Sequence, residues 1–246
     1  MKDDANLSQL DVQNLVKSYG GRKVVSDLSF KVKKGEIVGL LGPNGSGKTT
    51  AFYMTIGLIR PEKGRVLFNG VDITDLPTHK RAGMGMGYLA QEPSVFGRLT
   101  VEENILCILD NLSLTKKEKK ERLEQHLEEL HLTHLAKKTA SSLSGGERRR
   151  LEITRALVTG PTFLLLDEPF ANIDPISVKE VIELVRILRD KGISVLITDH
   201  NAREIFGVVD RGYIVREGKI LLSGTVPELV NNTEVRKYYL GDDFKM

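Results

Sequence analysis

Residues 42–50, GPNGSGKTT, follow an apolar segment and precede a helical pattern. The pattern G-x-x-x-x-G-K-[ST] of a phosphate-binding loop is matched by Gly42, Gly47, Lys48 and Thr49. In such a loop the backbone amides surround the phosphates, the lysine reaches the β- and γ-phosphates, and the threonine hydroxyl binds Mg²⁺. The stretch therefore predicts an α/β nucleotide-binding protein whose cofactors are ATP and Mg²⁺.

The whole loop is expected to contact the nucleotide, because glycines allow the backbone to approach phosphate more closely than a Cβ would permit. The residues assigned to this contact are Gly42, Pro43, Asn44, Gly45, Ser46, Gly47, Lys48, Thr49 and Thr50. Tyr19 precedes the loop by the length of a hairpin and is assigned to stack on adenine, a contact worth roughly 1 kcal/mol. Packing of Tyr19 inside the protein explains its presence nearly as well.

The composition is that of an ordinary globular protein and gives little support to nucleic-acid binding. The net charge of the 246 residues is +3, there is no Trp, and aromatic residues make up 6%, so base-stacking surfaces are not expected. The single cysteine, Cys107, excludes an intramolecular disulfide and fits a reducing cytosol. The segment MKDDANLSQL lacks a signal-peptide core, and no apolar run approaches the roughly 18 residues of a membrane span. We therefore expect a cytosolic protein without membrane insertion, which can still dock onto a membrane protein.

Four apolar segments predict a parallel sheet. Each ends in polar residues, and they are EIVGLLG (36–42), GYLAQE (87–92), FLLLDE (163–168) and SVLITDH (194–200). Near-continuous apolar runs of this kind are typical of parallel strands covered on both faces. Helical patterns such as residues 178–190 lie between them, and strands that alternate with helices indicate an α/β sheet.

Further segments surround this P-loop NTPase core. Residues 10–33 alternate apolar and polar types about a double-glycine turn, which predicts an N-terminal antiparallel β subdomain. Residues 92–160 interrupt the alternation with charged helical patterns and are expected to form an inserted α-helical lobe. The hairpin RGYIVREGKILLSG (211–224) precedes a C-terminal helix, expected near 226–240, and a tail that ends at residue 246. We expect one domain that spans the whole chain.

Polar side chains follow three of the apolar segments at the point where each ends. Asp167 and Glu168 follow one segment, Gln91 another and His200 a third. Ligands bind at the carboxyl ends of the strands in an open α/β sheet, so these side chains are expected to meet at the γ-phosphate. Taken alone, His200 is explained as a capped strand end and Glu168 as a surface carboxylate. Their joint placement favours catalysis.

Each of these residues matches a role in phosphoryl transfer. Glu168 is the expected acceptor of a proton from the attacking water, and His200 is expected to hydrogen-bond the γ-phosphate or that water. Gln91 is expected to contact both the metal and the water. The predicted catalytic residues are therefore Glu168, His200 and Gln91, and the predicted metal ligands are Thr49, Gln91 and Asp167.

A second pair of glycines, in the stretch SSLSGGERRR (141–150), predicts another anion site at the start of a helix. In-line attack needs charge stabilisation on the side of the γ-phosphate opposite the first loop. The simplest arrangement supplies Ser144, Gly145 and Gly146 from a second copy of the chain, so that a two-fold homodimer encloses two ATP molecules. The local alternative is a helix cap formed by Ser144 with a tight glycine turn.

Three arginines, Arg148, Arg149 and Arg150, follow in the first turns of the same helix. Positive charge at this end of a helix opposes the helix dipole. The arginines therefore indicate acidic neighbours or phosphate close by. A solvated helix face explains them equally well, and the sequence leaves both explanations open.

The motifs occur in the order typical of an ATP-binding-cassette (ABC) ATPase, and the chain resembles that family over nearly its whole length. The matching stretches are GPNGSGKTT, LAQE, LSGGERRR, FLLLDEP, ANIDP and ITDH. The resemblance implies a sandwich dimer in which Ser144 and Gly146 act in trans. It also implies a general-base role for Glu168, a γ-phosphate switch at His200 and a contact across the dimer by Asp174. A helix cap before the following proline is the local alternative for Asp174.

Within the family the chain resembles the ATPase subunits of bacterial lipopolysaccharide export systems. The resembling stretches include GLLGPNGSGKTTAFYM, LLLDEPFANIDPISV and the ending YYLGDDFKM. This resemblance implies that two copies power two inner-membrane permease subunits from the cytoplasmic face, and that the permeases dock near Phe96 and Arg98. Gly97 replaces the basic residue expected there, and Asn172 replaces the usual glycine of its loop.

Three other functions remain open from the sequence. The ATPase subunit of a branched-chain amino-acid importer has a similar sequence, and the acidic-aromatic ending favours the exporter. ABC ATPases that act on DNA or ribosomes carry a long coiled-coil insertion or a second cassette, and the sequence has neither. A non-enzymatic nucleotide-binding module would lack Lys48 or Glu168, and both are present.

Overall fold

The structure is a computed structural model and describes residues 8–171, 173–241 and 243–244. The acidic segment 1–7, Asn172, and tail residues 242, 245 and 246 lie outside the described residues.

The elements follow the chain in this order. The strands are β1 (Ser8–Tyr19), β2 (Arg22–Lys33), β3 (Ile37–Leu41), β4 (Lys63–Phe68), β5 (Val71–Asp72), β6 (Met86–Leu89), β7 (Phe163–Asp167), β8 (Ser194–Thr198), β9 (Arg211–Arg216) and β10 (Lys219–Thr225). The helices are α1 (Lys48–Ile56), α2 (Thr78–Gly83), α3 (Val101–Leu109), α4 (Lys116–Glu129), α5 (Gly145–Leu157), α6 (Pro175–Asp190), α7 (Ala202–Phe206), α8 (Val226–Asn231) and α9 (Thr233–Val235). None of these helices, within the described ranges, is both long and apolar enough to cross a bilayer.

A six-stranded sheet with the order β10-β9-β3-β8-β7-β6 forms the centre of the fold. Its inner strands are parallel: β6 pairs with β7, β7 with β8, β8 with β3, and β3 with β9. The residues of β3, β7 and β8 are all buried, as expected for parallel strands covered on both faces. The parallel sheet predicted from the four apolar segments is confirmed.

A four-stranded antiparallel sheet with the order β2-β1-β4-β5 covers one face of the central sheet. β1 and β2 join at Gly20 and Gly21, whose φ angles of 55° and 78° lie in the left-handed region that favours glycine. Residues of both sheets and of α1 share one apolar core, which includes Val12, Phe30, Val38, Phe52 and Leu165. The predicted antiparallel β subdomain is confirmed.

The helix α6 packs on the opposite face of the central sheet. Its buried residues include Val178, Val181, Ile182 and Val185. These positions recur at the spacing of one helix face, and they share a core with strand residues such as Leu164 and Ile197.

Residues 92–160 contain α3, α4 and α5 with an apolar core of their own. That core includes Val101, Ile105, Leu127 and Leu151. Capping boxes begin both α3 and α4. The contacts that join this region to the rest of the fold include Ile153 on α5, which packs into the core beneath α6, and Lys191 Nζ, which lies 2.5 Å from Oε2 of Glu129. The predicted lobe is therefore attached to the sheet mainly through α5.

The C-terminal segment differs from the single helix expected near 226–240. It forms α8, α9 and a π-helical turn over Arg236–Leu240, with an interruption at Asn232. The ψ angle of Asn232 is 128°, which is extended. Its side chain accepts hydrogen bonds from the amides of Glu234 and Val235 and so caps a new helix. Asparagine favours such capping over continuation of a helix, which explains the break.

Candidate functional site

The phosphate-binding loop connects β3 to α1 at the carboxyl edge of the central sheet. The φ angles of Gly42, Gly45 and Gly47 are 145°, 75° and 102°. A Cβ at Gly42 would lie 2.1 Å from the carbonyl oxygen of Val215, and one at Gly47 would lie 2.6 Å from that of Val24. Both glycines are therefore required by close backbone packing as well as by conformation.

Lys48 is the buried cation of this loop and is 7% exposed. Its Nζ donates to the carbonyl oxygens of Gly42 at 2.7 Å and Pro43 at 2.9 Å. Burial lowers the pKa of Lys48, and the carboxylates of Glu168 and Asp199 oppose that shift. Lys48 also lines a recess of about 130 Å³ together with Thr49, Thr50 and Glu168. The loop and the end of β7 thus converge on the same recess, as the sequence predicted.

Asp167 is the last residue of β7 and is 1% exposed. Its Oδ1 accepts a hydrogen bond of 2.8 Å from the hydroxyl of Thr198 on the neighbouring strand. Its Oδ2 is buried and has no hydrogen-bond partner among the described residues. Burial raises the pKa of Asp167. A buried carboxylate oxygen without a partner fits the oxygen ligands that Mg²⁺ prefers.

Glu168 lies beside both of the other predicted catalytic residues. Gln91 Nε2 donates to Glu168 Oε2 at 2.9 Å, and His200 Nδ1 lies 3.4 Å from the same oxygen. The side chain of Glu168 is 21% exposed and that of His200 is 56% exposed. The structure therefore brings together the side chains that follow β6, β7 and β8, at a point that solvent can reach.

Asp199 is a residue of this site that the sequence analysis missed. It is 0% exposed, and its carboxylate accepts the amides of Phe170 at 3.2 Å and Asn201 at 2.9 Å. Its Oδ1 also lies 3.5 Å from Nδ1 of His200. Burial raises the pKa of Asp199. The sequence feature that could have identified Asp199 is its position directly before His200, at the end of a buried strand.

Ser144 begins α5 with a capping box. Its Oγ accepts the amide of Glu147 at 3.2 Å, and the Glu147 carboxylate accepts the amide of Ser144 at 2.7 Å. A Cβ at Gly146 would lie 2.3 Å from Oγ of Ser177, so close helix packing requires this glycine. The local alternative of a helix cap thus describes the geometry within one chain. The assignment of Ser144, Gly145 and Gly146 to a nucleotide stays a prediction.

The second glycine motif and the phosphate-binding loop lie at different places on the folded subunit. Gly145 lines a separate hollow of about 120 Å³ with Gln91, Arg149 and Glu152. The recess about Lys48 is lined by other residues. Gly145 and Lys48 therefore line different hollows of the subunit.

Asp174 is the cap of α6. Its Oδ1 accepts the amides of Ile176 at 3.0 Å and Ser177 at 3.1 Å, and Pro175 occupies the first helical position. The hydroxyl of Ser177, which donates to Oδ2 of Asp174 at 2.5 Å, lowers the pKa of Asp174 most, and the two amides lower it further. This is the local alternative that the sequence suggested, and a contact across a dimer stays a prediction.

Two of the three arginines near the start of α5 have acidic partners. Arg149 Nη1 lies 2.8 Å from Oε2 of Glu152, and Arg150 Nη2 lies 3.2 Å from Oε2 of Glu180. Arg148 Nη2 donates to the carbonyl oxygen of Leu143 at 3.3 Å. Of the two explanations left open by the sequence, acidic partners account for Arg149 and Arg150.

Tyr19 lies at the end of β1 and is 48% exposed, with Lys17 Nζ 5.7 Å from its ring centroid. It pairs with Arg22 across the hairpin. Arg22 in turn lines a recess of about 680 Å³ that continues along residues 43–46 of the phosphate-binding loop. The ring is therefore close to a space large enough for a base, and its stacking on adenine stays a prediction.

The surface beyond Gln91 carries an exposed aromatic ring. Phe96 is 51% exposed, and the guanidinium of Arg155 lies 4.9 Å from its ring centroid. Arg98 is also exposed. Docking of a permease at Phe96 and Arg98 stays a prediction.

Comparison with known proteins shows the family to which the chain belongs. The ABC transporter family model matches residues 25–171. The chain belongs to the ABC transporter family. Relatives of this ABC chain include the lipopolysaccharide export system ATP-binding protein LptB of Acidithiobacillus ferridurans, which is 55% identical over 237 residues, 96% of this chain and 98% of the relative. LptB of Escherichia coli K12 is 49% identical over 243 residues, 98% of this chain and 100% of the relative.

Solved ABC cassettes have the same fold. A nucleotide-free ATP-binding cassette from an ABC transporter matches with a TM-score of 0.86 and 30% identity, covering 96% of this chain and 100% of that one. The ADP conformation of the cassette MJ1267 matches with a TM-score of 0.87, at the same identity and coverage. The predicted fold class and the predicted ATPase activity of an ABC cassette are confirmed.

Proposed function

We propose that this ABC ATPase powers the export of lipopolysaccharide from the inner membrane. The observation that carries the proposal is the identity of about half of all residues, over nearly the full length of both chains, with ATPases named for lipopolysaccharide export. These relatives favour the exporter over a branched-chain amino-acid importer. The chain works on the cytoplasmic face of the inner membrane as a homodimer, with two permease subunits.

The phosphate-binding loop holds the triphosphate of ATP. The Lys48 ammonium exchanges its contacts with the carbonyls of Gly42 and Pro43 for contacts with the β- and γ-phosphates. Thr49, Gln91 and Asp167 are the residues that would hold Mg²⁺, which neutralises phosphate charge when bound. The support for Asp167 is its buried and unpartnered Oδ2.

Glu168 accepts a proton from the water that attacks the γ-phosphate. Gln91 and His200 both contact Oε2, and we assign Oε1 to the water. The two contacts restrict rotation of the carboxylate, so Oε1 is held in one orientation. His200 is additionally assigned to the γ-phosphate, because it lies beside Glu168 at the same edge of the sheet.

A second copy of the chain covers the nucleotide from the opposite side. The amides of Gly145 and Gly146 lie at the start of α5 and have no acceptor among the described residues. Amides at a helix start bind anions. Since these residues line no common recess with Lys48, the nucleotide that they bind is held by the partner subunit. A two-fold dimer forms two such sites.

The proposal is tested with the chain and its own membrane partners. The tagged chain is purified from its native cells in mild detergent, its co-purifying permeases are identified, and the complex is placed in liposomes that contain lipopolysaccharide. We expect ATP-dependent release of lipopolysaccharide from the liposomes, and no release with Lys48→Ala. Co-purification of amino-acid permeases, with hydrolysis of ATP but no release of lipopolysaccharide, would overturn the proposal.

A further inference from the structure

The guanidinium of Arg149 lies where α5, the loop after β6 and the loop after β7 meet. Arg149 is on the second turn of α5 and is 6% exposed. A buried guanidinium is costly unless its charge and its N–H groups have partners. The partners of Arg149 therefore indicate which parts of the fold it holds together.

Four backbone carbonyls accept hydrogen bonds from Arg149. Nη2 donates to the oxygens of Asp167 at 3.3 Å and Glu168 at 3.2 Å. Nε donates to Pro169 at 3.2 Å, and Nη1 donates to Ala90 at 3.1 Å. Three of these carbonyls are consecutive and centred on Glu168, and the fourth directly precedes Gln91.

The charge of Arg149 is balanced by Glu152, which is 4% exposed and follows on the same helix. Nη1 of Arg149 lies 2.8 Å from Oε2 of Glu152. The other oxygen of Glu152, Oε1, accepts the amide of Ser94 at 3.1 Å. The buried pair thus contacts the loop after β6 at two points, Ala90 and Ser94.

Glu168 has a backbone conformation that needs such support. Its φ angle is 45°, in the left-handed region that is unfavourable for a residue with a Cβ. Its amide donates to the carbonyl of Thr198 at 2.8 Å, and its carbonyl accepts from the amide of Ala171 at 3.1 Å and from Arg149. A conformation of this kind persists only where surrounding contacts enforce it.

We propose that Arg149 is a positioning residue for ATP hydrolysis, which fixes the backbone of Glu168 and the loop that carries Gln91 to one guanidinium. This inference rests on the proposed function, in which Glu168 is the proton acceptor. The side chains of Gln91 and Glu168 are hydrogen-bonded to each other. A shift of either backbone therefore moves the carboxylate away from the water, and Arg149 prevents both shifts at once.

The first test replaces the guanidinium and keeps its charge. The ammonium of Arg149→Lys preserves the attraction to Glu152 but cannot reach carbonyls in three directions. We expect kcat to fall by about 10- to 100-fold, because a misplaced catalytic group loses rate steeply with distance. The KM for ATP should stay within about twofold of the wild-type value, since none of the hydrogen bonds described above joins Arg149 to the phosphate-binding loop.

The matched control is Arg211→Lys at the opposite edge of the sheet. Arg211 is also largely buried, pairs with a carboxylate, Glu36, and donates to a backbone carbonyl, that of Lys31. Its replacement should lower the melting temperature by a similar amount and leave kcat within about twofold. An equal loss of kcat in both variants would assign Arg149 a general role in stability and overturn the inference.

The second test combines Arg149→Lys with Glu168→Gln and measures single-turnover hydrolysis. If Arg149 acts through Glu168, its replacement costs little further rate once the carboxylate is absent. A double variant whose loss is the product of the two single losses would overturn the inference. The proposed function fails differently, because in that case Glu168→Gln alone retains hydrolysis close to the wild-type rate.

A second substitution covers the possibility that Arg149→Lys does not fold. Glu152→Gln keeps the guanidinium and its carbonyl contacts but replaces its buried partner by an amide of the same shape. We expect kcat to fall at constant KM, by a smaller factor than in Arg149→Lys. Unchanged kcat in a folded Glu152→Gln, together with an unfolded Arg149→Lys, would show a structural role only and would overturn the inference.

Discussion

The side-chain amide of Gln91 donates a hydrogen bond of 2.9 Å to Oε2 of Glu168, although the two residues are 77 positions apart in the chain. They meet because β6 and β7 are adjacent parallel strands, whose carboxyl ends lie at the same edge of the sheet. Gln91 also begins the connection to the helical lobe. The contact therefore links the proposed proton acceptor to the lobe, which carries the predicted permease-docking residues Phe96 and Arg98.

Replacement of Glu168 by Gln should abolish steady-state hydrolysis and preserve ATP binding. Loss of a general base lowers the rate by about 10²- to 10⁴-fold, while the phosphate-binding loop is unchanged. The ATP-bound variant should then accumulate as a dimer. Phosphate release measures the first effect, and size-exclusion chromatography with and without ATP measures the second. Glu183→Gln, at an exposed carboxylate of α6 that pairs with Arg186, is the control and should hydrolyse ATP normally. Near-normal hydrolysis by Glu168→Gln would refute the assignment.

Replacement of Lys48 by Ala should weaken ATP binding on the order of 10- to 100-fold, the value of a charge-assisted hydrogen bond to phosphate. The physical reason is the loss of a cation that is already buried in the loop. Calorimetric titration with a non-hydrolysable ATP analogue measures the affinity. Lys179→Ala, which removes an exposed lysine from α6, should leave affinity unchanged. Equal affinities for wild type and Lys48→Ala would contradict the placement of the triphosphate.

The sequence predicts the central part of the site because short motifs specify local geometry. Gly42 and Gly47 have a backbone that only glycine fits, and the polar residues after β6, β7 and β8 must meet once those strands are parallel. Asp199 escaped prediction because the same sheet edge offered His200 as the more obvious polar residue.

The role of Arg149 could not be predicted from its neighbours in the sequence. A run of three arginines on a charged helix is explained equally well by a solvated surface, and only tertiary packing buries one of them. Its acceptors are backbone carbonyls. Every residue has a backbone carbonyl, so the pattern of side chains in the sequence does not identify these acceptors. The helix break at Asn232 was not predicted for a related reason, since a capping asparagine and a mid-helix asparagine differ only in their surroundings.

Mixing two inactive variants should restore hydrolysis if Ser144 acts on the nucleotide of the partner subunit. Ser144→Arg obstructs one side of a site and Lys48→Ala disables the other, so each pure dimer has no working site. A mixed dimer has one site with both residues intact. Random pairing of equal amounts then gives about a quarter of the wild-type rate. The measurement is phosphate release as a function of the mixing ratio, and a rate near zero at every ratio would contradict action in trans.

Replacement of Gly146 by Ala should destabilise the protein by about 1–3 kcal/mol, the usual cost of overpacking. The added Cβ would lie 2.3 Å from Oγ of Ser177 and 2.7 Å from its Cβ, so α5 and α6 must move apart. Urea denaturation measures the change. Gly83→Ala in α2 is the control, because its Cβ would meet no atom within 4 Å. That variant should be as stable as wild type or more stable by up to about 1 kcal/mol. Equal stability of both variants would show that the helices do not pack as described.

Replacement of Asp167 by Asn should raise stability at neutral pH in the absence of nucleotide and Mg²⁺. Burial raises the pKa of Asp167 above the value of about 3.9 of an unfolded aspartate, so above that raised pKa the folded state holds a buried charge. This group therefore favours folding most below about pH 4, and its contribution falls as the pH rises through the raised folded-state pKa. The side-chain amide of the Asp167→Asn variant carries no charge and keeps an oxygen for the hydroxyl of Thr198. The stability of the variant should therefore not fall with rising pH in this way.

The difference in melting temperature between Asp167→Asn and wild type is the quantity to follow. It should grow as the pH rises from about 4 through the folded-state pKa and become constant above it. The same variant should lose hydrolysis, because an amide is a weaker ligand for Mg²⁺ than a carboxylate. Such a gain in stability with a loss of activity is expected where a site holds a buried charge for function. A variant less stable than wild type at every pH would contradict the unpartnered state of Oδ2, since it would mean that the carboxylate charge is already compensated by the protein.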